Sequence, residues 1–251
     1  MKTNNKDFLR YSKQIILKQV GVSGQKKISS TKVLVVGVGG LGCPVVLYLT
    51  NLGIGNIGII DDDKVDLSNL NRQILFNTKD IGKFKVYQAK SFLQKINKKI
   101  TIDVYRAKII KNNIQNILNK YDIICDCTDN FTTRYLLNDF CLKNKKILIS
   151  AAISKFEAHV FSFNFSKSVP CYRCFMPEIP EKEDRCDTDG ILPTVAGIAG
   201  TIQANEVVKS ILRKKNELVG KMIVFNTLNL NFRKIKLTKN TNCIMNCKKN
   251  D

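Results

Sequence analysis

A glycine-rich turn near the N-terminus constrains the fold of this chain more than any other feature. A short β-branched run, Val33 to Val36, leads into the segment GVGGLG at residues 37–42, and an apolar stretch follows. A second strand-like run, residues 57–60, ends at Asp61. In this layout, backbone N–H groups at a helix N-terminus face phosphate, and the carboxylate reaches ribose hydroxyls. The pattern predicts a nucleotide site and leaves open whether the ligand is a dinucleotide or ATP.

Short apolar strands alternate with helices through residue 150, as is typical of a parallel sheet buried on both faces. The segment EAHVFSFNF at residues 157–165 partly alternates, like an antiparallel strand, and two more strands follow it at 222–226 and 228–237. We predict an α/β fold, a doubly wound Rossmann-like sheet whose parallel core is extended by antiparallel C-terminal strands. The parallel strands are predicted at 33–36, 57–60, 101–106, 121–126 and 147–150, and the helices at 6–20, 41–52, 82–97, 111–119, 130–144 and 194–213.

The composition excludes several function classes. The net charge is +20, but the lysines are spread along the chain and form no stripe with aromatic residues, which disfavours a nucleic-acid partner. No apolar run approaches the roughly 18 residues of a membrane span, and the N-terminus has no apolar signal region. We therefore expect a cytoplasmic protein without a membrane partner. Its nine cysteines then indicate free thiols or metal binding rather than disulfides.

Five local signatures stand in a fixed order along the chain. They are RYSKQI at 10–15, GVGGLG at 37–42, LSNLNRQ at 67–73 with Lys85 downstream, DCTDN at 126–130, and PCYRC at 170–174 paired with CIMNC at 243–247. With these motifs, the chain resembles the ATP-dependent activators of ubiquitin-like proteins, the bacterial ThiF/MoeB/HesA family, from about residue 8 to 247. The resemblance implies one adenylation domain over residues 1–251. Its nucleotide-binding half would be about 30–150, and its carrier-binding and zinc half about 151–251.

The implied activity is adenylation of the C-terminal glycine of a small ubiquitin-like sulfur-carrier protein that ends in Gly-Gly, with ATP and Mg²⁺. A carboxylate attacks the α-phosphate and pyrophosphate leaves, so cations must stabilise charge on the phosphoryl oxygens. Arg72 and Lys85 are suitable cations, and Asp129 is a suitable Mg²⁺ carboxylate. Alternatively, the two cations are ordinary surface residues and Asp129 only caps the helix that starts at residue 130. Arg134, one turn into that helix, is expected to be structural.

The resemblance also implies a set of nucleotide-binding residues. Gly40 and its neighbours approach the nucleotide, Asp61 holds the ribose, Asn69, Arg72 and Lys85 touch the phosphates, and Asp129 holds the metal. The set is Gly37, Gly39, Gly40, Leu41, Gly42, Asp61, Asp63, Asn69, Arg72, Lys85, Asp129 and Asn130.

The N-terminal motif departs from the family pattern. The family usually has two arginines there, and the second reaches the ATP site of the partner subunit in a homodimer. Here the two positions hold Arg10 and Lys13, and lysine lacks the planar bidentate fork of arginine. Either Lys13 does the catalytic work less well, or Arg10 supplies the cation to the partner. Lys13 can also be an exposed helical cation without such a role.

The paired cysteine motifs predict a structural Zn²⁺ held by Cys171, Cys174, Cys243 and Cys247. The gap between the last two is three residues, where the family usually has two, but this gap still lies within known ligand spacing. The alternative is four unpaired thiols. The remaining cysteines inside predicted elements are expected in the core, namely Cys43, Cys125, Cys127 and Cys141.

Two further residues carry open questions. Cys186 lies in a polar loop that we expect to be mobile, and in this family a cysteine at this position can bond covalently to the carrier. Its acidic neighbours disfavour a thiolate, so a catalytic and an inert Cys186 are equally compatible with the sequence. His159 is the single histidine. A packed strand residue is favoured over a general base there.

The carrier hypothesis implies sulfur transfer in thiamine or molybdopterin biosynthesis, and the RYSKQI start and the acidic loop lean slightly to thiamine. We expect no appended rhodanese-like domain, so sulfur would come from a separate donor such as a cysteine desulfurase or a rhodanese. One alternative is a relative of the tRNA threonylcarbamoyladenosine dehydratase, which shares the nucleotide core. Another is a nicotinamide-dependent oxidoreductase, which has no need for Arg72, Lys85 and Asp129. A non-catalytic scaffold is the least favoured.

Overall fold

The computed structural model describes residues 5–179, 190–212 and 218–245. Eight strands form one sheet in the order β3-β2-β1-β4-β5-β6-β7-β8. The strands are β1 Lys32–Val36, β2 Asn56–Ile60, β3 Thr101–Tyr105, β4 Ile123–Asp126, β5 Ile147–Ser154, β6 Glu157–Asn164, β7 Lys221–Asn226 and β8 Asn231–Lys236.

The first five strands pair in parallel and the last three pair antiparallel, which confirms the predicted fold class. The strand order reverses beside β1, between its neighbours β2 and β4. In open α/β sheets, ligands bind outside the carboxyl ends of the strands at such a reversal. The fold therefore places its crevice at the ends of β1, β2 and β4.

Eight helices flank the sheet in the described ranges. They are α1 Asn5–Ile15, α2 Gly21–Ser30, α3 Gly42–Leu52, α4 Lys85–Ile96, α5 Ile114–Leu118, α6 Phe131–Lys143, α7 Tyr172–Phe175 and α8 Pro193–Ile211. None of the helices in this part of the chain is long and apolar enough to cross a lipid bilayer.

Several element bounds differ from the prediction, helix α2 is not predicted at all, and three of the differences have a clear structural reason. The helix predicted over 6–20 ends at Ile15, and the chain turns before α2, whose first residue, Gly21, has a φ of 59°. The last strand begins at Asn231 rather than at residue 228, because Leu230 adopts a φ of 53° in the preceding turn. Strand β5 continues to Ser154, beyond the predicted end at 150, because it gains an antiparallel partner in β6.

Both faces of the central strands are buried, as the continuous apolar runs predict. Val33 and Val35 of β1 pack with α3, α4 and α8 on one face, while Leu34 and Val36 pack with α5 and α6 on the other. Each such side chain stabilises the fold by about 1.5–3 kcal/mol. The cysteines expected in the core, Cys43, Cys125, Cys127 and Cys141, are buried.

Candidate functional site

The glycine turn is packed so tightly against the ends of β2 and β4 that side chains are excluded. Gly37 has a φ of 89°, and a Cβ there would lie 2.8 Å from the carbonyl oxygen of Cys127. A Cβ on Gly42 would lie 2.0 Å from the carbonyl oxygen of Gly37. No side chain caps the start of α3 at Leu41. Cys43, the second residue of α3, donates its N–H to the carbonyl oxygen of Gly39 at 3.0 Å, and Pro44 has no N–H. An anion in the crevice would therefore be bound by N–H groups of the turn that leads into α3.

A cleft of about 770 Å³ opens at this turn. Its walls contain every residue of the predicted nucleotide-binding set except Gly42, which lies behind the wall as the first residue of α3. The members in the walls are Gly37, Gly39, Gly40, Leu41, Asp61, Asp63, Asn69, Arg72, Lys85, Asp129 and Asn130.

Asp61 is fixed at the end of β2 by two backbone donors. Its Oδ2 accepts from the N–H of Val38 at 2.8 Å and its Oδ1 accepts from the N–H of Asp63 at 2.8 Å. Burial raises the pKa of Asp61, and the positive charge of Lys85 acts in the opposite direction. The carboxylate is therefore oriented before any ligand arrives, as a ribose-binding group requires.

The two predicted cations lie beside the turn. Lys85 begins α4, and its side chain is only 6% exposed, while its Nζ lies 2.9 Å from Oδ2 of Asp63, which is 62% exposed. Arg72 donates to the carbonyl oxygen of Ser68 at 2.9 Å, and its Cγ would touch a Cβ on Gly40 at 3.3 Å. Lys85 is thus not an ordinary surface lysine, and Arg72 lies directly over the turn.

Asp129 is exposed in the loop between β4 and α6. The cap of α6 is Asn130, whose Oδ1 accepts from the N–H of Thr133 at 2.9 Å. The alternative in which Asp129 only caps this helix is therefore wrong. An exposed carboxylate in a cleft that also holds the predicted phosphate-binding groups is a suitable ligand for Mg²⁺.

A buried ion pair holds the Asp129 loop in place. Arg134 Nε lies 3.0 Å from Oδ2 of Asp126, and the two side chains are 5% and 0% exposed. Arg134 Nη2 also donates to the carbonyl oxygens of Thr128 and Ala151, both at 2.8 Å. Burial lowers the pKa of Arg134, but Asp126 and Tyr172 together more than offset this, so its pKa lies above the ordinary value. Arg134 has the structural role that the sequence indicates.

Two parts of the cleft received no role from the sequence. Gln73, the last residue of LSNLNRQ, is buried in the wall, and its Oε1 has no hydrogen-bond partner within the described residues. Such an orphaned amide oxygen is costly unless a ligand donates to it. The segment 107–110, which follows β3, adds an apolar wall. Only the structure identifies it, because the segment carries no motif.

Arg10 and Lys13 do not line the cleft of their own chain. Arg10 Nη2 donates to the carbonyl oxygen of Ile96 at 3.0 Å, at the C-terminal end of α4. Because Ile96 is the last of the 12 residues of α4 and Lys85 the first, this contact lies about 16 Å from Lys85 along the helix axis. Lys13 is exposed on α1. Neither residue can serve the nucleotide site of its own chain in this arrangement.

Three cysteines of the predicted zinc set converge. The Sγ atoms of Cys171, Cys174 and Cys243 lie within 4.8 Å of one another, with Cys171 4.0 Å from Cys174 and 3.7 Å from Cys243. Thiolates bound at about 2.3 Å to one tetrahedral zinc ion stand about 3.8 Å apart. The donor set thus fits Zn²⁺. Cys247 lies outside the described residues, and so does Cys186.

His159 lies in β6, as expected for a strand residue, but its side chain also lines the cleft. Its ring is 32% exposed, and its Nε2 lies 3.0 Å from Oε1 of Glu157. The rings of Phe161 and Phe175 contact it edge-on. The histidine is therefore only partly packed.

Comparisons with known proteins agree with this geometry. The sequence profile of the ThiF family matches residues 11–245. The chain is 43% identical over 246 residues to the adenylyltransferase and sulfurtransferase MOCS3 of Culex quinquefasciatus, covering 97% of this chain and 56% of that protein. It is 42% identical over 234 residues to a probable molybdopterin-synthase adenylyltransferase of Porphyra purpurea, covering 92% of this chain and 61% of that protein.

Solved structures show the same fold. E. coli MccB with ATP superposes with a TM-score of 0.82 at 24% identity, covering 95% of this chain and 73% of that one. E. coli MccB with MccA-N7isoASN gives a TM-score of 0.85 at 23% identity, covering 98% and 76%. The chain spans less than two thirds of the length of the curated relatives named above. Its sequence match and its fold together establish that the chain belongs to the ThiF family.

Proposed function

We propose that this protein is an adenylyltransferase that uses ATP to activate the C-terminal glycine of a small ubiquitin-like sulfur-carrier protein. The observation that carries the proposal is the meeting of the glycine turn, Asp61, Arg72, Lys85 and Asp129 in one cleft. The named relatives, an adenylyltransferase and sulfurtransferase and a molybdopterin-synthase adenylyltransferase, support the same reaction class.

In the proposed reaction, a carboxylate oxygen of the carrier forms a bond to the α-phosphorus of ATP as the bond to pyrophosphate breaks. Asp61 holds the ribose, and N–H groups of the glycine turn that leads into α3 bind phosphate oxygens. Arg72 and Lys85 stabilise the charge that spreads over the phosphoryl oxygens. Lys85 is paired with Asp63 before ATP arrives, so it must exchange that carboxylate for a phosphate oxygen.

Asp129 would hold Mg²⁺, which supplies further positive charge to the phosphates when it is bound. Cys171, Cys174, Cys243 and Cys247 would hold a structural Zn²⁺, and three of their sulfurs already converge. This thiolate site requires reduced cysteines, which favours the cytoplasm as the location of the enzyme. A covalent bond between Cys186 and the carrier stays a prediction.

Among the possible carriers, we favour the molybdopterin one. The Porphyra purpurea relative is named as a probable molybdopterin-synthase adenylyltransferase, and neither named relative supports the slight lean of the sequence toward thiamine. A separate donor, such as a cysteine desulfurase or a rhodanese, would supply the sulfur. We further propose a homodimer in which Lys13 or Arg10 enters the partner's cleft, since neither residue lies in the cleft of its own chain.

The test is ATP–pyrophosphate exchange with purified protein and each candidate carrier, with and without Mg²⁺. We expect exchange with one carrier only, dependent on Mg²⁺ and lost in Asp129→Ala. Glu178→Ala, which removes an exposed carboxylate outside the cleft walls, is the matched control and should exchange like the wild type. ATP binding without exchange for any carrier would refute the proposal and favour tRNA or a small carboxylate as the substrate.

A further inference from the structure

The cleft has two chemically different ends. One end holds the glycine turn, Arg72 and Lys85, with Asp61 and Asp63 beside them. The opposite end, which we call the acceptor wall, consists of Ala152, Ser154, Glu157, His159, Phe175 and Met176. Its only ionisable side chains are Glu157 and His159, and it contains no lysine or arginine. The acceptor wall therefore offers no cation to a triphosphate, whereas the other end offers Arg72 and Lys85.

The register of the sheet places this wall next to the proposed reaction centre. Strand β5 pairs with β4 only as far as Ser150, opposite Asp126. Beyond that point it pairs with β6 alone, where Ala152 faces His159 and Ser154 faces Glu157. Residues directly opposite in an antiparallel pair share one face of the sheet, so these four side chains form one surface.

The loop that carries Asp129 is tied to the same segment of β5. Arg134 Nη2 donates to the carbonyl oxygens of Thr128 and of Ala151, so one guanidinium joins the Asp129 loop to the start of the acceptor wall. A group held on this wall therefore lies beside the loop that is proposed to face the phosphates.

The Glu157–His159 pair fixes the hydrogen-bonding character of the wall. Nε2 of His159 lies 3.0 Å from Oε1 of Glu157, and Phe161 and Phe175 restrict the ring from its edges. A carboxylate partner favours the tautomer in which Nε2 carries the proton. In the neutral ring, Nδ1 is then an acceptor with a free lone pair.

We propose that the Glu157–His159 pair positions the C-terminal tail of the protein that is adenylated, through a hydrogen bond from a tail main-chain N–H to His159 Nδ1. This inference rests on the proposed function and assigns the acceptor side of its cleft. An extended glycine tail offers N–H donors and no bulk, and the small Ala152 and Ser154 leave room for such a backbone. Glu157 acts only through His159, by holding its tautomer and ring orientation.

The test is steady-state ATP–pyrophosphate exchange with the molybdopterin-type carrier, in wild type, His159→Leu, His159→Gln and Glu157→Gln. For His159→Leu we expect the KM for the carrier to rise about tenfold, with the KM for ATP and kcat within about twofold of wild type. His159→Gln keeps an acceptor oxygen, so its carrier KM should stay within about threefold of wild type. The carrier KM of Glu157→Gln should lie between those of His159→Gln and His159→Leu.

Lys155→Asn is the matched control, because Lys155 lies in the β5–β6 turn with a φ of 52°, which asparagine tolerates, and outside the cleft walls. Melting temperatures of all variants confirm folding. An unchanged carrier KM in a folded His159→Leu, or equal losses in the leucine and glutamine variants, would overturn the inference while wild-type exchange still supports the proposed function. A wild type that exchanges with no carrier refutes both.

Discussion

The buried Arg134–Asp126 pair provides the sharpest energetic test of how the cleft is held together. Replacing Arg134 by Met leaves the Asp126 carboxylate buried without a countercharge. Its remaining side-chain donors are the hydroxyls of Ser150 at 2.5 Å and Thr128 at 2.6 Å. Removing one partner of a buried pair costs about 3–5 kcal/mol, because the other charge is left uncompensated. The carbonyls of Thr128 and Ala151 also lose their donor, so we expect a loss of about 4 kcal/mol.

Asp126→Asn is expected to cost about 3 kcal/mol, since it leaves the Arg134 guanidinium buried with only neutral acceptors. The double variant removes both charges, so its loss should be about 5 kcal/mol rather than the sum of about 7 kcal/mol. The assay is urea unfolding followed by circular dichroism. For a chain of this size, the loss from Arg134→Met alone corresponds to a fall in melting temperature of about 12 °C.

Arg173 and Asp139 form a matched control pair. Arg173 Nε and Nη2 each lie 2.8 Å from a carboxylate oxygen, but the two side chains are 17% and 25% exposed. Water screens such a pair, so Arg173→Met should cost about 1 kcal/mol. Burial does not explain the strength of the Arg134–Asp126 pair if Arg134→Met lowers the free energy of unfolding no more than Arg173→Met does. The same conclusion follows if the losses from Arg134→Met and Asp126→Asn simply add in the double variant.

Three further outcomes follow from the same geometry. Lys85→Met should lower kcat/KM for ATP–pyrophosphate exchange at least 100-fold, because a cation proposed to stabilise phosphoryl charge is lost. Lys95→Met, at an exposed position on the same helix, should leave kcat/KM unchanged, and steady-state kinetics of both variants is the measurement. Gly42→Ala should prevent folding, because its Cβ would lie 2.0 Å from a carbonyl oxygen. Gly197→Ala in α8 is the control: its Cβ would meet nothing within 4 Å, so it should raise the free energy of unfolding, measured in urea, by about 0.5–1 kcal/mol. Burial raises the pKa of the Cys43 thiol to about 12, so the thiol stays protonated at pH 8. Iodoacetamide should therefore leave Cys43 unmodified in the native protein and alkylate it in urea, and mass spectrometry measures both.

The sequence predicts the parallel half of the fold well because its signals are local. β1 and β2 are apolar runs that end at a glycine turn and at Asp61, and such runs need no distant partner to be recognised. Helix α2 was missed for the opposite reason. Its sequence, GVSGQKKISS, is rich in glycine and serine, which are weak helix formers. Tertiary contacts stabilise it, since Ile28 is buried and Gln25 donates to the carbonyl oxygen of Leu52 at 3.1 Å.

The two ends of the cleft also differ in how far local sequence patterns predict them. The end proposed for the nucleotide is encoded in short motifs, because backbone N–H groups, a strand-end carboxylate and two cations must follow particular turns. The acceptor wall depends on how far β5 extends beyond its pairing with β4, where it pairs with β6 alone. No local sequence pattern around His159 reveals this long-range pairing. A wall built by long-range pairing can change its side chains without disturbing the glycine turn. In the proposed enzyme, the adenylation chemistry would therefore depend on the motif-bearing end, and the choice of the group that is adenylated would depend on the β5–β6 wall.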